Sequence, residues 1–150
     1  MNNSPRALSS IEVFSGLDEQ SREEIMSRCM WRDYAAGERI IMHGDKTTDV
    51  YFVTQGSVRA SIFSENGREV AFHDLAAGSM FGELAAFDQL PRSTYVLTLT
   101  DVSLAVLSRE DFLEVLSLHP AAMAAVLIHL SGLWRVRLLR SCSAILSRMD

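Results

Sequence analysis

A glycine, a carboxylate and a guanidinium group occur within one short segment of this chain. The segment Phe81–Ala85 (FGELA) is followed, nine residues after Glu83, by Arg92. Gly82 has no Cβ and therefore lets backbone N–H groups come close to an anion. If Glu83 opens a short helix, the free N–H groups of its first turn and the helix dipole attract the same anion. Arg92 adds a planar fork of donors that suits two phosphate oxygens, so this spacing favours a phosphate-binding segment.

Each half of this segment is unspecific by itself, because apolar-Gly-acid triplets occur in many turns and a lone arginine is most often a solvated surface charge. Together, FGELAAF (residues 81–87) and PRST (residues 91–94) closely resemble the phosphate-binding cassette of the cyclic nucleotide-binding domain family. Residues from about 17 to 139 fit that family in order. Four further motifs carry the resemblance: Gly37–Asp45, Asp49–Val58, Gly67–Glu69 and Leu75–Met80.

The resemblance implies a role for each residue of the cassette. The backbone N–H groups around Gly82, Leu84 and Ala85 and the side chain of Arg92 would hold the phosphate. Glu83 would accept a hydrogen bond from a ribose 2′-OH. The chain is therefore expected to bind a cyclic nucleotide as a ligand, without a cofactor, a metal or a catalytic residue, and to act as a non-catalytic sensor or regulatory module.

The purine needs an apolar slot, which the family's register places at one side of the barrel mouth. His73 falls where the family sometimes has a polar group that faces the base. Two interpretations are open for each candidate. The apolar residues either line the base site or belong to the ordinary barrel core, and His73 either faces the base or lies at the surface without a role. The apolar candidates are Val58, Phe72, Leu75 and Leu84.

In the family, the last helix covers the base and transmits binding. The bacterial activators of the family have small hydroxyl residues near positions 137 and 138, where this sequence has Arg137 and Leu138. Base recognition is therefore not carried over from them. Trp134 or Arg137 could stack on a purine; the alternative is a dimer seam for Trp134 and a solvated Arg137.

Ser93 follows the cassette arginine and bears on the choice of base. In the family, small side chains at this position are common in cAMP binders, whereas a hydroxyl, often Thr, can favour cGMP. The bacterial cAMP activators also have Ser there, and the sequence shows no second guanine-specific group. We therefore predict a preference for cAMP, with a cGMP-preferring sensor as the alternative.

These residues need a scaffold, and the surrounding pattern predicts one that is α+β and mainly β. Over about residues 34–107, regularly spaced glycines separate short β-rich runs, and Asn66-Gly67 is a strong hairpin turn. The set predicts an eight-stranded jelly-roll-like β-barrel, or β-roll. A helical pattern from Leu17 to Met30, with Asp18 as its cap, precedes the barrel.

After the barrel, the pattern predicts two helices, over about 108–118 and 120–147. Ser108 is a good N-cap, and the helix that it opens ends before Pro120. Residues 1–10 are predicted to form a flexible tail, which leaves 11–150 as one cyclic nucleotide-binding domain. Apolar residues follow one flank of the last helix at roughly heptad spacing, which fits a homodimer through this helix or packing on its own barrel.

Composition narrows the class of protein. The 150 residues include 14 basic and 19 acidic side chains, and the net charge of −5 disfavours direct contact with nucleic acid. No apolar run is as long as a membrane span, and the first residues lack the apolar core of a secretory signal. Two distant cysteines, Cys29 and Cys142, favour reduced thiols in a cytoplasmic protein.

Two other functions fit parts of the pattern. A cupin-type enzyme would need histidines and a carboxylate that converge on a metal, but the four histidines (43, 73, 119 and 129) lack such paired spacing. A DNA-binding regulator of the catabolite-activator type would need a helix-turn-helix after the long helix. Thirty residues follow Pro120, and the predicted long helix uses them, so the given sequence is not expected to include that motif. We therefore expect a sensor, or the sensory fragment of a larger transcription regulator, cyclase, kinase or channel.

Overall fold

The structure, a computed structural model, describes residues 8–133 of the chain. A 3-10 turn at Glu12–Phe14 comes first, and four helices follow it along the chain: α1 (Glu19–Arg28), α2 (Glu83–Asp88), α3 (Arg109–Leu118) and α4, described over Pro120–Leu133. The strands are β1 (Met30–Tyr34), β2 (Arg39–Ile41), β3 (Val50–Gln55), β4 (Ser57–Phe63), β5 (Glu69–Ala76), β6 (Met80–Phe81), β7 (Tyr95–Thr98) and β8 (Val102–Leu107).

The strands pair antiparallel in two four-stranded sheets, ordered β1-β8-β3-β6 and β2-β7-β4-β5. This confirms the predicted mainly β fold with flanking helices, but as an open β-roll. The roll is not a closed barrel, because no strand pairing within residues 8–133 joins one sheet to the other. The edge strand β6 has only two residues, too few to continue the ladder around the roll.

β3 is buried on both faces and separates two clusters of core side chains. Val50 and Phe52 point to the cluster beneath the helices, called the helical cluster below. There Phe52 packs against Phe14 and Phe112, with ring centroids 4.9 and 6.3 Å apart. Tyr51 and Val53 point to the second cluster, between the sheets. This alternation follows from the two-residue period of a strand, and it places Tyr51 beside the cassette.

Residues near the N-terminus contribute to the core at an earlier position than the sequence pattern predicted. Leu8 is 2% exposed and packs in the helical cluster, so the expected flexible tail does not extend to residue 10. Glu12 N donates to Gly78 O at 3.1 Å, which ties this segment to the turn between β5 and β6. The sequence pattern predicted that the first strand begins at about residue 34, whereas β1 begins at Met30. The earlier start follows from the pairing of β1 with β8 along its whole length.

Both predicted helix caps are present. The Asp18 side chain accepts a hydrogen bond from Ser21 N at 2.8 Å, and Ser108 accepts from Asp111 N at 3.2 Å. The chain bends by 115° between α3 and α4. One face of α4, which includes Ala122 and Val126, packs into the helical cluster. No single helix within residues 8–133 is long and apolar enough to cross a membrane; α3 and α4 reach that length and composition only as a bent pair.

Candidate functional site

The cassette begins where β6 ends. Gly82 has φ +82°, a left-handed conformation that side chains with a Cβ rarely adopt, and it is the N-cap of α2. A Cβ at this position would lie 2.9 Å from Arg92 Nη1 and 3.0 Å from Asp49 O. Glycine is therefore needed here for two reasons, the backbone conformation and the space that the guanidinium of Arg92 occupies.

α2 is a short helix with one face packed into the fold. Its residues Ala85 and Ala86 are buried, and Arg109 Nε at the start of α3 donates to Ala86 O at 2.8 Å. The backbone N–H groups of Glu83, Leu84 and Ala85 belong to the first turn of the helix, where they have no intrahelical acceptor. The fold thus presents a set of first-turn donors at the position that the sequence predicted for a phosphate.

Arg92 is buried, with 4% of its surface exposed, and its guanidinium is fixed by neutral oxygens. Nη1 donates to Gly82 O and Nη2 to Asp49 O, each at 2.7 Å, while Nε donates to Thr47 Oγ1 at 3.2 Å. Three of the five N–H donors of the side chain are used in this way. Among the described residues, the other two donors, one on each terminal nitrogen, make no hydrogen bond.

The charge of Arg92 has no direct counter-ion in this part of the chain. No carboxylate oxygen of residues 8–133 lies within 4 Å of the guanidinium. Burial lowers the pKa of Arg92, and the more distant charges, including Asp49 and Glu83, act in the opposite direction. A buried cation without an ion pair is costly. The site is therefore electrostatically suited to an anion that approaches the free donors.

Glu83 is also buried, at 4% exposure, and it contacts α4. His129 Nε2 lies 2.9 Å from Glu83 Oε1, with the imidazole as donor and the carboxylate as acceptor. The hydrogen bond raises the pKa of His129 above its usual value, while partial burial opposes the rise. Sequence reasoning did not select His129 for the site. Its position three residues after Val126, on the stripe that faces the roll, is the signal that would have pointed to it.

A cleft of about 360 Å³ opens between β5 and α4, beside the cassette. His73 and Leu75 line it from β5, and Ile128 and His129 line it from α4. The structure thus brings two of the predicted base-facing residues, His73 and Leu75, to one opening. Val58 is fully buried between the sheets and pairs with Leu75 across β4 and β5.

Three predicted residues lie away from this cleft. Phe72 is on the opposite face of β5 from His73 and Leu75, because side chains alternate along a strand, and its ring lies 4.2 Å below the guanidinium carbon of Arg59. Leu84 is 48% exposed on α2, and Ser93 is exposed after the cassette arginine.

The predicted base-covering residues Trp134 and Arg137 lie outside the described residues. The same holds for the part of the expected dimer flank that follows Leu133.

Among the described residues, those required for metal or thiol chemistry do not converge. Within residues 8–133, no three His, Cys, Asp or Glu side chains are placed to hold a metal ion. His43 packs beside Tyr95 with ring centroids 5.9 Å apart, and His119 ends α3. Burial raises the pKa of Cys29 to about 12, which keeps this thiol protonated and a poor nucleophile at neutral pH.

Comparisons with known proteins agree with this geometry. The family model of the cyclic nucleotide-binding domain matches residues 31–119. The cAMP-activated global transcriptional regulator CRP of Haemophilus influenzae is 31% identical over 96 residues, which are 63% of this chain and 43% of that protein. A cAMP-dependent protein kinase regulatory subunit of Debaryomyces hansenii is 30% identical over 109 residues, 73% of this chain and 23% of the subunit. The chain thus spans less than half the length of these relatives.

Solved structures show the same architecture. The catabolite activator protein of Thermus thermophilus superimposes with a TM-score of 0.79 at 28% identity, over 91% of this chain and 61% of that one. The regulatory domain of Toxoplasma gondii PKA with cAMP gives a TM-score of 0.65 at 26% identity, over 75% of this chain and 43% of the other. Since the family model covers more than half of the sequence, this chain belongs to the cyclic nucleotide-binding domain family.

Proposed function

We propose that this chain is a non-catalytic sensor that binds cAMP in preference to cGMP and passes the signal through α4. The observation that carries the proposal is the state of Arg92, a buried cation held by neutral oxygens, with two N–H donors unused among the described residues. An anion of single charge with two exocyclic oxygens satisfies this arrangement. A cyclic phosphate diester has that charge and shape.

In the proposed complex, the phosphate lies between Arg92 and the first-turn N–H groups of α2. The carboxylate of Glu83, at the start of the same helix, accepts a hydrogen bond from the ribose 2′-OH. Neighbouring groups of the first turn of α2 thereby bind both the sugar and the phosphate, which couples recognition of the two.

The base is proposed to enter the cleft between β5 and α4, where Leu75 and Ile128 offer apolar surface and His73 offers a polar edge. Ser93 is proposed to donate a hydrogen bond to the phosphate, or to accept one from the 2-amino group of a guanine in the syn conformation. A single hydrogen bond of this kind supports about tenfold selectivity at most. The preference for cAMP is therefore expected to be modest if Ser93 alone decides it.

The relatives support a regulatory role, since their names describe a cAMP-activated transcriptional regulator and a kinase regulatory subunit. The sensor would work by itself or as the sensory part of a larger transcription regulator, cyclase, kinase or channel. A homodimer through α4 and its continuation, no direct contact with nucleic acid and a cytoplasmic location stay predictions.

Isothermal titration calorimetry of the full chain with cAMP, cGMP and 5′-AMP tests the proposal. We expect cAMP to bind and 5′-AMP to bind at least tenfold more weakly, because the open monophosphate carries extra charge into a site built around one buried cation. Equal or tighter binding of 5′-AMP contradicts a cyclic diester site. Tighter binding of cGMP than of cAMP keeps the site but reverses the choice of base.

A further inference from the structure

His129 stands at the junction of the cassette and the cleft. Its Nε2 contacts Glu83 Oε1, and the same imidazole lines the cleft beside His73. The side chain of Glu83 is only 6% exposed, whereas that of His129 is 28% exposed. The imidazole of His129 thus touches both the Glu83 carboxylate and the cleft in which the base is proposed to lie.

We propose that His129 is an intramolecular competitor of the nucleotide, which occupies the Glu83 carboxylate in the ligand-free protein and is displaced when the ribose binds. This inference rests on the proposed function and adds regulation to the same site. Displacement removes a contact that holds α4 against α2. Occupation of the cassette is thereby linked directly to the position of α4.

The charges that face His129 come from three elements. Glu83 on α2 makes the direct contact, Glu12 on the 3-10 turn acts at longer range, and His73 on β5 lines the same cleft. α4 has no other charged side chain between Pro120 and Leu133. The two carboxylates favour the protonated imidazole. Partial burial opposes it but leaves the pKa of His129 raised.

The direction of the pH effect follows from this raised pKa. In the closed state, His129 contacts Glu83 and holds its proton more tightly than in the open state, where the contact is lost. At pH values below the open-state pKa both states are protonated, so the contact is strongest and nucleotide affinity is lowest. As the pH rises through the closed-state pKa, the contact weakens and affinity increases. An ion pair between the buried Glu83 and the partly exposed His129 supports a change of about three- to tenfold.

Affinity for cAMP, measured on the full chain from about pH 5.5 to about pH 8.5, tests this competition. His129→Gln removes the titrating group and keeps a polar side chain of similar reach. His43→Gln changes a histidine that packs beside Tyr95, outside the cleft, and is the matched control. We expect affinity to rise about three- to tenfold with pH in the wild type and in His43→Gln. In His129→Gln, affinity should be independent of pH and equal to the wild-type value at high pH.

Each other outcome is decisive. Wild-type affinity that is flat, or that rises as the pH falls, overturns the competition but leaves the proposed function in place, and so does an unchanged pH profile in His129→Gln. Absence of cAMP binding at every pH, in wild type and variant, overturns both. NMR titration of the His129 imidazole provides a readout without ligand: its pKa should return toward the usual value in Glu83→Gln, and an unchanged pKa overturns the contact on which the inference depends.

Discussion

Two arginines of this protein have opposite surroundings. Arg59 on β4 is partly exposed and forms a two-pronged ion pair with Asp74, with N–O distances of 2.7 and 3.0 Å. Its pKa is raised, mainly by that hydrogen bond. Arg92 is 4% exposed, is bonded to neutral oxygens, and has its pKa lowered by burial.

The two sites differ in whether the charge of the arginine is already neutralised by a described carboxylate. The pair of Arg59 and Asp74 is electrostatically complete, and exposed pairs of this kind contribute little to stability. Arg92 is kept out of water and forms no ion pair with any residue between 8 and 133, an arrangement that costs free energy unless an anion binds. Substitutions at the two arginines should therefore have different consequences for ligand binding.

Removal of the buried arginine should have the largest effect. Arg92→Ala removes two charge-assisted hydrogen bonds to the phosphate, at about 1.5–3 kcal/mol each, so cAMP affinity should fall roughly a hundredfold or more. Arg59→Ala, the matched control, should change affinity by less than about twofold. Calorimetry measures both constants, and thermal unfolding shows that each variant is folded. Wild-type affinity in folded Arg92→Ala would mean that the phosphate binds elsewhere.

Crowding at Gly82 gives the next largest effect. Gly82→Ala combines a positive φ with a Cβ placed 2.9 Å from Arg92 Nη1, whereas Gly67 has a φ of +76° and nothing within 4 Å of the position that a Cβ would take. Gly67→Ala should cost about 1–2 kcal/mol for the backbone alone. Gly82→Ala should cost about 1–3 kcal/mol more through overpacking. Urea unfolding gives both values; equal costs would show that Arg92 and Asp49 do not confine this glycine.

The ribose contact should have a smaller, ligand-specific effect. Glu83→Gln weakens a hydrogen bond to a charged acceptor, so cAMP affinity should fall about tenfold. The same substitution should cause no loss with 2′-deoxy-cAMP, which lacks the hydroxyl that Glu83 is proposed to bind. Competition titrations with the two nucleotides measure this difference. A loss of the same size for both ligands would remove Glu83 from ribose recognition.

The smallest effect is expected at Ser93. Ser93→Ala should change the ratio of cAMP to cGMP affinity by no more than about tenfold, the range of one net hydrogen bond. Displacement of a fluorescent cAMP analogue by the unlabelled nucleotides measures the ratio in wild type and variant. Much larger selectivity that survives the substitution would place base recognition elsewhere, with Trp134 and Arg137 as the first candidates.

Local features were predictable from the sequence because local chemistry determines them. Asn66-Gly67 forms the hairpin turn, with Gly67 N donating to Ser64 O at 2.9 Å, and Asp18 and Ser108 cap their helices. The position of Gly82 at a left-handed turn before α2 follows from the same kind of rule. These signals depend on residues only a few positions apart.

Long-range features were not predictable in the same way. The open edge of the roll depends on which strands pair, and the face that Phe72 occupies depends on the register of β4 with β5. The contact of Glu83 with His129 joins residues 46 positions apart and requires the exact rotation of α4 against the roll. Packing of Ala122 and Val126 sets that rotation, and no local pattern shows where the opposite partner lies.

The most direct test of the central claim compares the two arginines in one experiment. NMR spectra of the arginine Nε–H groups, recorded while cAMP is added, report on each guanidinium separately. We expect the Arg92 resonance to shift and saturate together with binding, because the phosphate engages its free donors, while the Arg59 resonance stays in place. An Arg92 resonance that does not move while cAMP binds would contradict the assignment of this buried arginine as the phosphate site.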